Sequence, residues 1–351
     1  MDKHTHICIM AGGAGTRFWP MSTEEKPKQF IDVLHQGRTL LQMTYDRALS
    51  MVSPEQIWVM THAKYHHLVR SQLPGLPESN IMLEPQRKNT APAIAYAAYK
   101  LKSVDEQAIM VVLSSDHVIM KDKAFINCME EGVLHVSQND SIVTLGIKPT
   151  EPHTGYGYIQ FEDSDSTVKR VLRFVEKPNA ATAVTYLGSG DYLWNAGIFI
   201  WSIKKVIHEL TMHAGDICDI FRAFSASIGT SNESKALMIA FDQCRSESID
   251  YAIMEKADRI YTIPADIGWS DLGTWGSLYS MTKDGEAKNS LSFGPQVVIE
   301  DICHSVIRLP QDKKAIIKGL DGYVVAWEED GLLIYPIKEE QQIKQSLQKL
   351  K

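Results

Sequence analysis

Short apolar runs, many of them β-branched, recur through the first 150 residues: Ile7–Met10, Ile57–Met60, Ala108–Leu113 and Ile142–Ile147. Each predicts a buried strand. Between the first three, the apolar positions change to helical spacing. Leu41, Tyr45, Ala48 and Leu49 share one face of a helix over Leu40–Met51, and Ile94, Ala97, Ala98 and Leu101 share one face of Thr90–Lys102. Strands alternating with helices predict βαβ units and a mostly parallel sheet. Ligands on such sheets bind beyond the C-terminal ends of the strands. The loops after Met10, Leu83 and Leu113 therefore fall on one rim.

The middle of the chain has a different texture. "GYGYIQF", "VLRFVEKP" and "NAGIFIW" predict strands, and helical stretches follow around Ile203–Met212 and Asp250–Lys256. The polar, glycine-containing segment 282–295 marks a boundary between a domain over 1–285 and a module over 286–351. Beyond it, short alternating runs such as "QVVIED" and "YVVAWEEDGLLIYPI" predict a small β module joined by turns. The tail "KEEQQIKQSLQKLK" predicts a charged terminal helix with a solvated face.

Composition narrows the partners. The chain has 351 residues, 44% of them hydrophobic, and a net charge of -7. That balance argues against a general nucleic-acid binder, which needs a basic surface. The five cysteines are scattered with no C-x-x-C pair, so neither a zinc motif nor a disulfide framework is expected, and a cytoplasmic location is. No secretion leader is expected, and no apolar run reaches membrane-spanning length.

The candidate chemistry begins at "AGGAGTRFWPMSTEEKPKQF", residues 11–30, directly after the first predicted strand. It lacks the G-x-x-x-x-G-K-[ST] of a P-loop. It also fails the dinucleotide fingerprint, because counting from Gly13 the third glycine position is Phe18. Glycines such as Gly12 and Gly13 let backbone N–H groups approach phosphate oxygens. Arg17 offers a bidentate fork and Lys28 a point charge. A phosphate cradle and a glycine-rich turn with surface cations both remain open on these residues alone.

The wider pattern resembles the sugar-phosphate nucleotidyltransferases, and most closely the mannose-1-phosphate guanylyltransferases. G-x-G-x-R-x-x-P followed by P-K carries the likeness, together with "EPQRKNTAPAIAYAA", "LSSDHVI", "TGYGYI", "FVEKP", "WNAGIFIW" and "ADIGWSDLGTW" in the family's order. Ala14, Phe18 and the second serine of "SSDH", Ser115, depart from the common pattern without removing a charged group. The resemblance implies an α/β fold: a Rossmann-like nucleotidyltransferase domain with a mixed, mostly parallel sheet, plus a small C-terminal β module. It implies GTP and mannose 1-phosphate as substrates, GDP-mannose and pyrophosphate as products, and Mg²⁺ as cofactor. Longer members append an isomerase domain, and no isomerase activity is expected of this chain.

The resemblance also assigns residues. Arg17 and Lys28 would hold the triphosphate and the departing pyrophosphate. Asp116 and Asp271 would share the Mg²⁺, with Asp266 a rival for the second place. Glu84 would accept the two guanine donors, with Arg87, Asn89 and Thr90 beside it. Gly157, Glu176, Lys177 and Asn195 would hold the sugar phosphate, and His117 is a weaker candidate. Each has a plainer reading: capping for Asp116, Asp271, Asn89 and Thr90, a surface ion pair for Glu176 and Lys177, a structural amide for Asn195. Two other functions compete, a glycosyltransferase consuming a nucleotide sugar and a non-catalytic sugar-nucleotide sensor. The C-terminal module, lacking evident chemistry, is expected to support a homodimer. No membrane or nucleic-acid partner is expected.

Overall fold

A computed structural model of the chain describes all residues except Ala14, 283–290, 294–296, Gln311 and Lys351. The chain packs as two units. The first comprises Met1–Gly12, Thr44–Ser115 and Ile119–Trp269, the second Gly13–Met43, Asp116–Val118 and Ser270–Lys351. The boundary expected between 285 and 286 lies outside the described residues.

The first unit is built on one nine-stranded sheet. Its strands are β1 (Thr5–Met10), β2 (Ile57–His62), β3 (Ile81–Glu84), β4 (Ile109–Ser114), β5 (Ile142–Ile147), β6 (Tyr158–Phe161), β7 (Lys169–Val175), β8 (Tyr192–Ser202) and β9 (Ile260–Pro264). They lie in the order β3-β2-β1-β4-β8-β5-β9-β7-β6, and β6 pairs with β8 as well. β8 is antiparallel to β4, β5 and β6, and β7 is antiparallel to β9 and β6. The other seven strands share one direction, so the sheet is mixed but mostly parallel.

The helices at Thr90–Val104 and Ile203–His213 fall where the apolar spacing predicts them, within two residues at each end. The alanine-rich helix Thr90–Val104 is buried along most of its length, and its Tyr96 packs against Phe221, Phe224 and Phe241. Small side chains let a helix lie close to its neighbours, which explains why this stretch is alanine-rich. The parallel strands β1 to β4 bring their C-terminal ends together: Met10 is opposite Met60 and Ser114, and His62 is opposite Glu84.

The second unit contains a β module whose connectivity differs from the expected turns. Its strands are β10 (Leu291–Phe293), β11 (Val297–Glu300), β12 (Val306–Arg308), β13 (Ala315–Lys318), β14 (Tyr323–Glu328) and β15 (Gly331–Pro336). Leu291 pairs in parallel with Val306, Val306 with Val324, and Val297 with Ala315. The corners stack too, with the Gly319 N–H donating to Glu300 O and the Gly322 N–H to Cys303 O, each at 3.0 Å. Successive coils thus lie on one another as a short parallel solenoid, and among the described residues of the module only β14–β15 forms a hairpin. Alternation sets which face a residue occupies but not which strand it pairs with, so the sequence pattern fits both.

The charged tail also departs from its expected solvated helix. It forms a 3₁₀ segment, Ile337–Gln342, and a helix, Ile343–Gln348. Ile343 is 1% exposed and joins a core with Phe18, Leu272, Trp275 and Val306, against which Ile337 and Leu347 also pack.

Candidate active site

In the first unit, the rim formed by the strand ends carries one buried carboxylate. Glu84 closes β3 and is 7% exposed. A Cβ placed on Gly12 would stand 3.4 Å from Glu84 Oε1, so the glycine leaves the carboxylate room. Burial pushes the Glu84 carboxyl up to about 7, against the pull of the nearby Arg87 guanidinium. Arg87 in turn donates to the Tyr65 hydroxyl and lies over its ring, 5.6 Å from the centroid. Asn89 adopts φ +68° and caps the helix Thr90–Val104, its side-chain oxygen accepting from the Thr90 N–H at 2.9 Å. The Thr90 hydroxyl accepts from the Ile249 N–H at 2.8 Å. Asn89 and Thr90 thus have clear structural tasks, whereas Glu84 has a desolvated charge that burial alone makes costly.

A second group in the same unit gathers around β8. Asn195 is held on several sides. Its N–H donates to Gly157 O at 2.8 Å, its Oδ1 accepts from the Gly197 N–H at 3.0 Å, and its Nδ2 donates to Asp250 Oδ1 at 3.1 Å. Glu176 presents a side chain only 6% exposed and pairs with Lys177, whose φ is +47°. A Cβ on Gly157 would lie 2.6 Å from Glu176 Oε2, so a side chain there would displace the carboxylate from this position. The structure therefore brings together Gly157, Glu176, Lys177 and Asn195. Beside them Tyr156 stacks on His153 at 3.8 Å and meets Trp194 and Trp269 edge-on, an arrangement suited to the apolar faces of a ring.

Asp250 is the member of this group that the sequence reading missed. It begins a π-helical turn, Asp250–Met254, and burial together with the Glu176 carboxylate pushes its pKa up to about 7. The only sequence signal was a carboxylate opening a predicted helical stretch, which reads as an ordinary cap.

In the second unit the glycine-rich loop folds around a buried lysine. Lys28 lies on a 3₁₀ turn after Pro27 and is 3% exposed. Its ammonium donates to Asp271 O at 2.9 Å and Leu272 O at 2.8 Å, and pairs with Asp116 Oδ2 at 3.1 Å. It also sits 5.8 Å from the centroid of the Phe18 ring. Phe18, the residue that broke the dinucleotide fingerprint, is 1% exposed. Gly15 has φ +58°, and a Cβ there would lie 2.8 Å from both Lys28 Cβ and Ser22 Oγ. The Gln29 side chain donates to Gly13 O at 2.9 Å, closing the loop. The loop thus converges with Asp116 and Asp271, two residues far apart in the chain.

Arg17 is exposed and reaches Gln341 Oε1 at 3.3 Å. Asp271 Oδ1 accepts from the Gly273 N–H at 3.0 Å, the turn geometry of a capping aspartate. His117 lies 3.9 Å from the Asp116 carboxylate. Asp266 belongs to the first unit, where it pairs with Lys121 and is well exposed. Among the described residues, no three His, Cys, Asp or Glu side chains form a complete metal cage. Two hard carboxylates and a lysine are instead what a site needs when phosphate oxygens supply the remaining ligands.

A nucleotide-handling enzyme is the class this arrangement defines, and comparison with known proteins agrees. The family model described as nucleotidyl transferase matches residues 7–288, and the chain belongs to that family. Mannose-1-phosphate guanylyltransferases of Klebsiella pneumoniae and Escherichia coli are 36% and 37% identical, over 98% of this chain and 73% of their own lengths. A crystal structure from Thermus thermophilus, described as a mannose-1-phosphate geranyltransferase, matches with TM-score 0.89 and 28% identity, covering 99% of both chains. The branch of the family to which the chain belongs is that of the mannose-1-phosphate guanylyltransferases. Enzymes of this family generally use a divalent metal.

Proposed function

We propose that this protein transfers GMP from GTP to mannose 1-phosphate, giving GDP-mannose and pyrophosphate. The observation that carries this reading is the Lys28 ammonium, buried between the Asp116 carboxylate and the main chain at 271–272. A buried cation between the Asp116 carboxylate and the Asp271 main chain, on a loop that also carries Arg17, is matched to phosphate with a metal counter-charge. Likeness to guanylyltransferases along nearly the whole chain supports the base and the sugar.

In the reaction a phosphate oxygen of mannose 1-phosphate attacks the α-phosphorus of GTP. The new P–O bond forms as the bond to the β-phosphate oxygen breaks in line, and the electron pair leaves with pyrophosphate. No protein nucleophile is needed, so catalysis is positioning and charge neutralisation. Arg17 and the N–H groups of Gly12 and Gly13 hold the triphosphate. Lys28 neutralises charge at the α-phosphate and on the departing group. Glu84 accepts the guanine N1–H and exocyclic amine, with Arg87, Asn89 and Thr90 shaping the approach. Gly157, Glu176, Lys177 and Asn195 take the sugar phosphate.

Asp116 and Asp271 would hold Mg²⁺. Their hard oxygens suit it, and both residues are tied to the same Lys28 ammonium, one through its side chain and one through its main chain. The ion would supply charge stabilisation on phosphate oxygens and a template for their orientation.

The reading includes a cytoplasmic location, small-molecule substrates and no nucleic-acid or membrane partner. The free cysteines support that location, and the acidic net charge argues against a nucleic-acid partner. A homodimer through the β module is supported by the exposed Val298, Ile299 and Ile316 on the paired strands β11 and β13.

The reverse reaction tests the reading. Incubation with GDP-mannose, Mg²⁺ and pyrophosphate is expected to release GTP. Transfer of mannose to an acceptor with release of GDP, and no GTP, would instead mark a glycosyltransferase.

A further inference from the structure

The C-terminal segment makes two adjacent contacts, one to the helix after Asp271 and one to the phosphate loop. Glu340 Oε2 accepts from the Gly276 N–H at 2.7 Å, in the first turn of the helix Trp275–Thr282. That helix begins one turn's length after Asp271. The next residue, Gln341, accepts from Arg17. One dipeptide therefore touches the start of the helix that follows one metal-candidate aspartate and the candidate triphosphate arginine.

The contact is built rather than incidental. A Cβ on Gly276 would lie 2.8 Å from Glu340 Oε1 and 3.0 Å from Ile337 Cγ2, so glycine is what admits the carboxylate. The segment is fixed on both sides. Before it, the Ile337 N–H donates to Gly322 O at 2.8 Å in the β module. After it, Ile343 is buried and the Ser346 and Tyr335 hydroxyls lie 3.2 Å apart. A carboxylate at a helix N-terminus satisfies a free N–H and complements the helix dipole.

We infer that Glu340 and Gln341 are positioning residues for phosphate transfer: Glu340 sets the start of the Trp275 helix and with it the Asp271 turn, and Gln341 sets the resting place of Arg17. The β module then acts as the mount that brings this dipeptide to the loop. The inference rests on the phosphate-transfer reading above.

Its test uses the full chain. GTP binding with Mg²⁺ is measured by calorimetry, and turnover by steady-state kinetics, for Glu340→Ala, Glu340→Gln and Gln341→Ala at a temperature where each variant is folded. Misplacing the turn by a fraction of an ångström is expected to weaken GTP binding and lower kcat, each roughly tenfold, in Glu340→Ala. Glu340→Gln keeps an acceptor for the Gly276 N–H and is expected to recover most of both. Gln341→Ala is expected to move KM for GTP about two- to threefold with kcat retained. Wild-type GTP affinity and kcat in folded Glu340→Ala would overturn the inference, as would a loss that Glu340→Gln does not lessen. Wild-type protein that binds GTP but makes no GDP-mannose would overturn the functional reading instead, and the binding arm would still decide this one.

Discussion

Replacing Glu84 by glutamine is expected to stabilise the protein and damage its choice of base. The ordinary carboxyl value is 4.5, and burial lifts Glu84 to about 7. A folded value above the unfolded one means that the folded state holds the proton longer. Ionisation therefore costs nothing in stability well below 4.5, costs progressively more between 4.5 and 7, and costs its full amount above 7. That full amount is about 3 kcal/mol, and it is already about 1 kcal/mol at pH 5. Glu84→Gln removes the titration. Its gain over wild type in urea unfolding should therefore grow by about 2 kcal/mol between pH 5 and pH 8. In exchange, the glutamine amide offers one acceptor where guanine presents two donors. Leaving one of them unpaired costs about 1–3 kcal/mol, so GTP affinity should fall by roughly 10- to 100-fold while ATP binding changes little. A variant whose stability relative to wild type is the same at pH 5 and pH 8 would refute the desolvation argument. A variant with unchanged GTP-over-ATP preference would refute the base assignment.

Three further substitutions probe the two units. Gly15→Ala forces a side chain into a φ of +58° and to within 2.8 Å of Lys28 Cβ, and should cost stability by about 1–3 kcal/mol and abolish most turnover; full activity would show the loop is not so constrained. Lys28→Met leaves the Asp271 and Leu272 carbonyls and the Asp116 carboxylate without their shared donor. Asp116 is partly solvated, so the loss should be nearer ~2 than ~5 kcal/mol in urea unfolding, with pyrophosphate release reduced to background. Asp250→Ala removes the acceptor of Asn195 Nδ2 and should raise KM for mannose 1-phosphate about tenfold while leaving KM for GTP within about twofold; equal effects on both constants would detach Asp250 from the sugar group.

Much of the fold was legible because strand and helix periods differ. The strands beginning at Ile57 and Ile142 and the helix from Thr90 announced themselves through apolar spacing, and tertiary packing left them nearly where the spacing put them. The C-terminal module was legible as β but not as a solenoid. Its alternation is satisfied equally by a hairpin and by stacked coils, and stacking depends on corner residues such as Gly319 and Gly322 at φ +75°. The tail misled because its charges outnumber its apolar residues, yet Ile343 and Leu347 alone suffice to bury one side.

The candidate site was legible where charge interrupts a glycine-rich loop. It was not legible where a carboxylate acts through another side chain. Asp250 resembles any residue opening a helical turn until the fold sets Asn195 against it, and Glu340 resembles a surface acid until Gly276 admits it. Both depend on contacts across many positions of the chain, which spacing does not encode.

The most direct test of the account is pyrophosphate release with mannose 1-phosphate and Mg²⁺, comparing GTP, ATP, UTP and dTTP in wild type and Arg17→Ala. The account predicts turnover with a strong preference for GTP, lost when Arg17 is removed. Folded protein that releases no pyrophosphate with any of the four nucleotides would contradict it.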